Sequence, residues 1–160
     1  MQAIAYGNVY VAQVAMGANP QQTLLAFREA EAYKGPSLIL AYSHCIAHGI
    51  DMQFGMRQQD LATASGYWPL FRFNPSMRQA GQNPFRLDSL RPSIPFKDYA
   101  YNEIRYHSLT MTRPAEAEEL ARMAQSVVLE KYRSYEQLAG LDGGKFHPPA
   151  DTISRKTEPA

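Results

Sequence analysis

The 160-residue sequence contains only one cysteine, Cys45, and no apolar run approaches the ~20 residues that a transmembrane helix needs. A single cysteine excludes a disulfide within the chain and is typical of a reducing compartment. The first ten residues, MQAIAYGNVY, lack the basic and then apolar segments of a secretory signal peptide. These absences predict a soluble cytoplasmic protein with no membrane segment.

Clusters of lysine and arginine are also missing, and the formal net charge is only +1. Nucleic-acid binding is not predicted, because it depends on a concentrated positive surface. Apolar residues make up 45% of the chain and charged residues 19%, so there is enough apolar material for a core. We expect one compact domain.

The first half of the chain has the pattern of a strand, a helix and a second strand. Residues 6–14 are rich in Val and Tyr and predict a strand. A helix is expected at about 20–33, with Asn19 as its N-cap. Residues 37–42, SLILAY, are typical of a strand buried on both faces of a parallel sheet. This order predicts a right-handed βαβ unit in an α/β fold, with functional residues at the carboxyl ends of the strands.

Further strands and helices are predicted along the middle of the chain. Strands are expected at 68–73 and 85–87, and Pro69 favours an edge position or a late start for the first of them. Residues 51–65 predict a helix, and 96–106 are compatible with a short amphipathic one.

The clearest helix is predicted at residues 114–139. Its apolar residues recur every three or four positions, it opens with a proline, and glutamates crowd its first turns. Residues 141–160 are polar and contain several Gly and Pro, so we expect a disordered tail there.

The segment SHCIAHGI, residues 43–50, holds Cys45 with His44 before it and His48 three residues after it. A buried, unreactive thiol is the commonest state of a free cysteine and is favoured by the local sequence. A catalytic thiolate paired with a histidine remains open. A self-contained zinc site needs about four ligands, whereas His107 and His147 lie far along the chain. A metal site completed by ligands outside these residues is the fourth interpretation.

Two other segments have simpler explanations than a functional site. Glu103, Arg105 and His107 alternate in NEIRYHSL, which favours a solvated charged face over a site. The loop MGANPQQ lacks a glycine-rich phosphate cradle, so a capped helix is favoured there over an anion site.

Five blocks of the sequence occur together in the order and spacing of one protein family. They are YGNVYVAQVAMGANPQQTL, REAEAYKGPSLILAYSHCIAHGI, GYWPLFRFNP, GQNPFRLDS and NEIRYHSL. Together they resemble the C-terminal part of pyruvate:ferredoxin (flavodoxin) oxidoreductase. The resemblance implies that residues 1–140 are the C-terminal part of a thiamine-diphosphate-binding domain, an α/β fold with a parallel sheet and, here, a long C-terminal helix.

The resemblance implies an activity for the complete enzyme. It would oxidatively decarboxylate pyruvate with coenzyme A to acetyl-CoA and carbon dioxide, using thiamine diphosphate and Mg²⁺. [4Fe–4S] clusters would pass the electrons to ferredoxin or flavodoxin, and the enzyme would be a homodimer of much longer chains. Nitrogen fixation is only an association of some family members.

The resemblance also implies a role for Cys45 as a metal ligand. In the family, the cysteine of the matching block ligates the [4Fe–4S] cluster nearest the thiamine, and the other three ligands come from earlier in the chain; thiolates suit such clusters. His44 and Ala47 stand where the family commonly has proline and asparagine. We expect His44 and His48 to support or pack around the cysteine rather than to bind metal.

The family's diphosphate and Mg²⁺ motif, its other cluster cysteines and its pyruvate-binding residues do not occur in this sequence. We therefore expect a segment of the enzyme, without catalysis or a stable cluster of its own, in which the first strand, at residues 6–14, is left with an open edge. One alternative is a non-catalytic structural or interaction module that has kept the sheet. Another is a small zinc-binding protein that uses His44, Cys45 and His48.

Overall fold

The computed structural model describes residues 1–141. Within them the helices are α1 (Gln2–Ala5), α2 (Pro20–Ala32), α3 (Gly55–Ala64), α4 (Phe96–Ala100), α5 (Ile104–Thr112) and α6 (Pro114–Ala139). The strands are β1 (Tyr10–Val14), β2 (Ser37–Ala41), β3 (Phe71–Phe73) and β4 (Phe85–Leu87), and 3₁₀ turns occur at Ile46–His48, Met52–Phe54 and Pro75–Ala80. The tail predicted for 141–160 lies, after Leu141, outside the described residues.

The four strands form one mixed sheet in the order β2-β1-β3-β4. β1 and β2 are parallel, with Tyr10 opposite Ser37 and Val14 opposite Ala41. β3 runs antiparallel to β1, and β4 antiparallel to β3. The predicted βαβ unit and α/β fold are confirmed, and the antiparallel pair β3–β4 extends the parallel pair.

Helices cover opposite faces of β1, because successive side chains of a strand point in opposite directions. Tyr10, Ala12 and Val14 pack with Ala26 of α2 in one cluster. Val11 packs on the other face, in a cluster that includes three phenylalanines of β3 and β4 and Tyr135 of α6. β1 is therefore the strand that is buried on both faces.

The prediction that the second strand is buried on both faces is wrong. β2 lies at the edge of the sheet, and Leu38 and Leu40 remain 41% and 37% exposed. The apolar run SLILA specifies a strand, but burial also needs a layer packed against it, and within residues 1–141 β2 pairs only with β1. An apolar sheet edge is thus open among residues 1–141, but at β2. The expected open edge of the first strand is wrong, because β1 pairs with β2 on one side and with β3 on the other.

Several boundaries differ from those predicted. The first strand begins at Tyr10 rather than at residue 6, after the unpredicted α1 and a turn at Gly7 with φ 77°. β3 starts late, after Pro69, as expected, but it lies inside the sheet between β1 and β4. Residues 96–106 contain α4 and the start of α5 instead of a single helix.

α6 has the bounds that the sequence predicts, and its apolar stripe is covered along only part of its length. Val128, Tyr132 and Tyr135 are buried, whereas Met123 and Val127 are exposed. No helix within residues 1–141 is long and apolar enough to cross a membrane.

A buried ion network fastens α2 to the sheet. Arg72 of β3 donates from Nε and Nη2 to both carboxylate oxygens of Asp88, each at 2.8 Å, and from Nη1 to Glu29 at 2.5 Å. Tyr10 also donates to Glu29, at 3.0 Å. Because the Arg72 side chain is only 10% exposed, the two carboxylates are needed to satisfy its charge.

Candidate functional site

We name residues 43–50 the cysteine loop. It follows the carboxyl end of β2, where the Tyr42 N–H still donates to the Val14 carbonyl at 2.9 Å. Cys45 is a free, partly exposed cysteine at the start of the 3₁₀ turn Ile46–His48, and its carbonyl accepts from the His48 N–H at 3.0 Å. The structure therefore places the only thiol at the sheet end that the sequence indicates.

His48 joins the cysteine loop to the start of α5. Its Nδ1 lies 3.2 Å from Glu103 Oε2, and its Nε2 lies 2.6 Å from Arg105 Nη1. A guanidinium can only donate hydrogen bonds, so Nε2 must accept and the ring proton is on Nδ1. His48 thus accepts from Arg105, and its protonated Nδ1 faces the Glu103 carboxylate.

Glu103 is buried, with 2% of its surface exposed, so its predicted place on a solvated face is wrong. Its Oε1 accepts from Gln58 Nε2 and from the Tyr99 hydroxyl, both at 3.3 Å. The prediction assumed that these alternating charged residues lie on one face of a strand. Instead, α5 begins at Ile104 and Glu103 is its N-cap residue. Arg105 and His107 are exposed, as predicted.

Two tyrosines extend this polar network to the end of β2. The Tyr42 and Tyr99 hydroxyls lie 2.7 Å apart, and because the Tyr99 proton goes to Glu103, Tyr42 donates to Tyr99. Burial raises the pKa of Tyr99. The end of β2 and the start of α5 are therefore linked through two phenols, the partly buried Tyr42 and the buried Tyr99.

Gly49 closes the cysteine loop against α5. It has φ 74°, and its carbonyl accepts from the Ile104 N–H at 3.4 Å. A Cβ at this position would lie 2.7 Å from the Ile104 Cβ, which is too close for two carbons. Both the left-handed backbone and the close approach require glycine here.

His44 anchors the other side of the cysteine loop. Its Nδ1 lies 3.2 Å from Gln59 Nε2, while Gln59 Oε1 accepts from the Gly17 N–H at 2.8 Å. The Gly17 bond fixes the orientation of the amide, so Gln59 donates to His44. The ring of His44 also lies where a Cβ on Gly55 would project. Cys45 is thus flanked by one histidine bonded to α3 and another bonded to α5.

The loop before α2 has the predicted helix cap. Asn19 Oδ1 accepts from the Gln22 N–H at 2.8 Å, which is the usual N-cap bond. The Gly17 N–H is already bonded to Gln59. These bonds support the capped helix as the explanation of MGANPQQ.

Within the part of the chain that the structure describes, Cys45 has no set of metal ligands around it. Among residues 1–141, no group of three or more His, Cys, Asp or Glu is placed to hold a metal ion. His44 is hydrogen-bonded to Gln59 and His48 to Arg105. A metal site that used the Cys45 thiolate would need its other ligands from elsewhere.

Apolar side chains are exposed around the cysteine loop. Ile46, directly after Cys45, is 72% exposed. Together with it we name four neighbours the cysteine face: Met52, Phe54, Met56 and Ile104, all of them exposed. Isolated exposed apolar residues are ordinary, but a group of large ones is typical of a surface that is covered by another part of a protein.

Sequence reasoning missed four residues that hold this site together. They are Tyr42, Gln58, Gln59 and Tyr99. The only local signal was the adjacent pair Gln58-Gln59 inside a predicted helix. If the helix buries either glutamine, its amide needs hydrogen-bond partners. Those partners come from distant segments and could not be named in advance.

Comparison with known proteins identifies the family. No protein-family model matches the chain. It is 49% identical over 142 residues to pyruvate-flavodoxin oxidoreductase of Trichormus variabilis, and 48% over 139 residues to that of Nostoc sp.. It is 47% identical over 139 residues to pyruvate:ferredoxin oxidoreductase of Moorella thermoacetica. These alignments cover 87–89% of the chain but only 12% of each relative. The chain is therefore homologous to one segment of the pyruvate-flavodoxin and pyruvate:ferredoxin oxidoreductases, which confirms the resemblance seen in its sequence.

Proposed function

We propose that residues 1–140 act as the C-terminal part of the thiamine-diphosphate-binding domain of such an oxidoreductase. The complete enzyme would convert pyruvate and coenzyme A to acetyl-CoA and carbon dioxide, with electrons passing through [4Fe–4S] clusters to ferredoxin or flavodoxin. Identity of 47–49% to relatives with these names supports the assignment. Thiamine diphosphate, Mg²⁺, the homodimer and the acceptor are parts of this proposal, because the chain spans only 12% of the relatives' length.

Cys45 is proposed as one thiolate ligand of a [4Fe–4S] cluster. The observation that carries this assignment is a free, partly exposed thiol at the carboxyl end of β2, on a loop held from both sides. Cysteine thiolates are the usual ligands of such clusters, so the donor type fits. When bound, the cluster would carry single electrons, and this chain would supply one of its four ligands.

Exposed apolar surface supports the interpretation as a segment of a larger assembly. The open edge β2 and the cysteine face are both apolar and are not covered by any part of residues 1–141. Such surfaces are expected to be buried against the remaining parts of the oxidoreductase. Alone, the chain is proposed to lack catalysis, because one thiolate cannot replace four.

A chimeric enzyme tests the role of Cys45. This chain would replace the matching segment of the Trichormus variabilis enzyme, with Cys45→Ala as the test and Ser43→Ala, on the same loop, as the matched control. We expect Cys45→Ala to remove about four iron atoms per chain, the content of one [4Fe–4S] cluster, and to slow electron delivery. Unchanged iron content and rate would remove Cys45 from the ligands.

The open edge of β2 favours one alternative, a non-catalytic module that pairs with a separately encoded subunit. The reading frame upstream of Met1 separates the two functions. A frame that continues into a diphosphate-binding motif supports the enzyme segment, whereas a stop codon with a ribosome-binding site supports a separate module. Iron and sulfide reconstitution of the 160-residue chain is a second test, since a stable cluster on the chain alone would contradict the shared-ligand proposal.

A further inference from the structure

His48 restricts the turn that carries Cys45 through two hydrogen bonds and a close contact. Its N–H donates to the Cys45 carbonyl at 3.0 Å, its Nε2 accepts from Arg105 at 2.6 Å, and its Nδ1 lies 3.2 Å from Glu103 Oε2. The backbone bond closes the turn, and the two side-chain contacts tie the closed turn to α5. Together they restrict the backbone that carries the thiol.

Glu103 is the buried end of this connection. Burying a carboxyl group is unfavourable unless donors surround it; Gln58 and Tyr99 supply such donors, and His48 Nδ1 lies 3.2 Å from the other oxygen. Gln58 and Tyr99 hold the carboxyl group in the interior, and His48 carries its fixed position to the cysteine loop. The network therefore fixes the position of the cysteine loop relative to the protein core.

We propose that His48 and Glu103 are positioning residues that fix the Cys45 thiol for its role as a cluster ligand. The proposal rests on the proposed function of Cys45. Neither side chain would touch the cluster for this purpose, since both act through the turn that bears the cysteine.

Variants of His48 separate positioning from general stability. His48→Ala removes both side-chain contacts, whereas His48→Asn keeps an amide N–H close to the place of Nδ1. His107→Ala is the matched control, because His107 is an exposed histidine on α5. Asp88→Ala destabilises the fold at a different place, since Asp88 binds Arg72 and Gln22.

Alkylation of Cys45 by iodoacetamide in the 160-residue chain is the first measurement, and the single cysteine makes it site-specific. Hydrogen exchange of the His48 and Gly49 amides, which close the turn, is the second. His48→Ala and Glu103→Ala should each speed both processes about tenfold through local opening. His48→Asn and His107→Ala should stay near the wild-type rates. Wild-type rates in His48→Ala, or equal acceleration by Asp88→Ala, would overturn the proposal.

The chimeric enzyme provides a spectroscopic measurement. His48→Ala should change the electron paramagnetic resonance spectrum and the reduction potential of the cluster that Cys45→Ala removes, while His107→Ala leaves both unchanged. An unaltered spectrum and potential in His48→Ala would contradict positioning. If Cys45→Ala leaves the iron content unchanged, the ligand role fails, and alkylation and exchange still decide whether His48 and Glu103 fix the loop.

Discussion

Gly49 and Ile104 are in direct contact where the cysteine loop meets α5. The Ile104 N–H donates to the Gly49 carbonyl at 3.4 Å, and a Cβ on Gly49 would lie 2.7 Å from the Ile104 Cβ. The loop therefore has no room for a side chain at Gly49, the residue that ends the 3₁₀ turn. This contact brings the Cys45 segment onto the helix that supplies Glu103 and Arg105.

Gly49→Ala should lower the free energy of unfolding by about 2–4 kcal/mol, because a left-handed backbone and a clash act together. Gly81→Ala is the matched control, since Gly81 also has a positive φ, 67°, but has no atom within 4 Å of an added Cβ. It should cost only about 1 kcal/mol, the backbone part alone. Urea unfolding measures both, and equal losses would show that the contact with Ile104 is unimportant.

Arg72→Met should destabilise the chain by roughly 3 kcal/mol or more, because the partly buried carboxylates of Asp88 and Glu29 would be left without their cation. The control is Arg91→Met. Arg91 also pairs with a carboxylate, Glu136, at 2.6 Å, but it is 82% exposed. A much smaller change is expected there, since water screens the pair. Similar losses for the two variants in thermal unfolding would contradict a special role for the buried network.

Stability should fall as the pH rises above about 10, the ordinary pKa of tyrosine. Burial raises the pKa of Tyr10, Tyr99 and Tyr135 in the folded chain. Above pH 10 the unfolded chain therefore binds fewer protons than the folded one, and stability decreases. Burial also lowers the pKa of Lys131, which acts in the opposite direction.

Urea unfolding between about pH 9 and pH 11 measures this dependence. Tyr135→Phe removes one of the buried phenols and should make the fall less steep. A flat profile across this range, or an unchanged slope in the variant, would show that the buried phenols do not control alkaline stability.

Leu38→Lys together with Leu40→Lys should reduce self-association of the 160-residue chain without a large loss of stability. Both side chains are exposed on β2, an open apolar edge that favours pairing between copies, and lysine opposes such pairing. Leu90→Lys is the matched control, because Leu90 is 88% exposed outside the strands. Sedimentation velocity over a range of concentrations compares them. Equal effects would mean that general solubility, not the strand edge, controls association.

Local sequence was sufficient where near neighbours determine the structure. The Asn19 cap and Pro20 define the start of α2, and the three- and four-residue apolar repeat defines α6 from Pro114 to Ala139. These features depend on backbone hydrogen bonds and helix periodicity within a few residues. The strand–helix–strand order followed for the same reason and placed Cys45 at the end of β2.

Burial and side-chain partners could not be derived in this way. SLILA forms a strand whether or not a second layer covers it, so the exposure of Leu38 and Leu40 was not predictable. Glu103 was expected in solvent because it, Arg105 and His107 occupy alternate positions. Instead, Gln58, Tyr99 and His48 surround it in the interior.

The sequence by itself determined the α/β unit, the position of the single thiol and, through its five blocks, the family. Tertiary structure decided how that thiol is held. It brings Gln59 to His44, and Glu103 and Arg105 to His48, from segments that lie far along the chain. The physical reason is that a hydrogen bond to a buried group requires a partner at about 3 Å, and only the folded chain places those partners there.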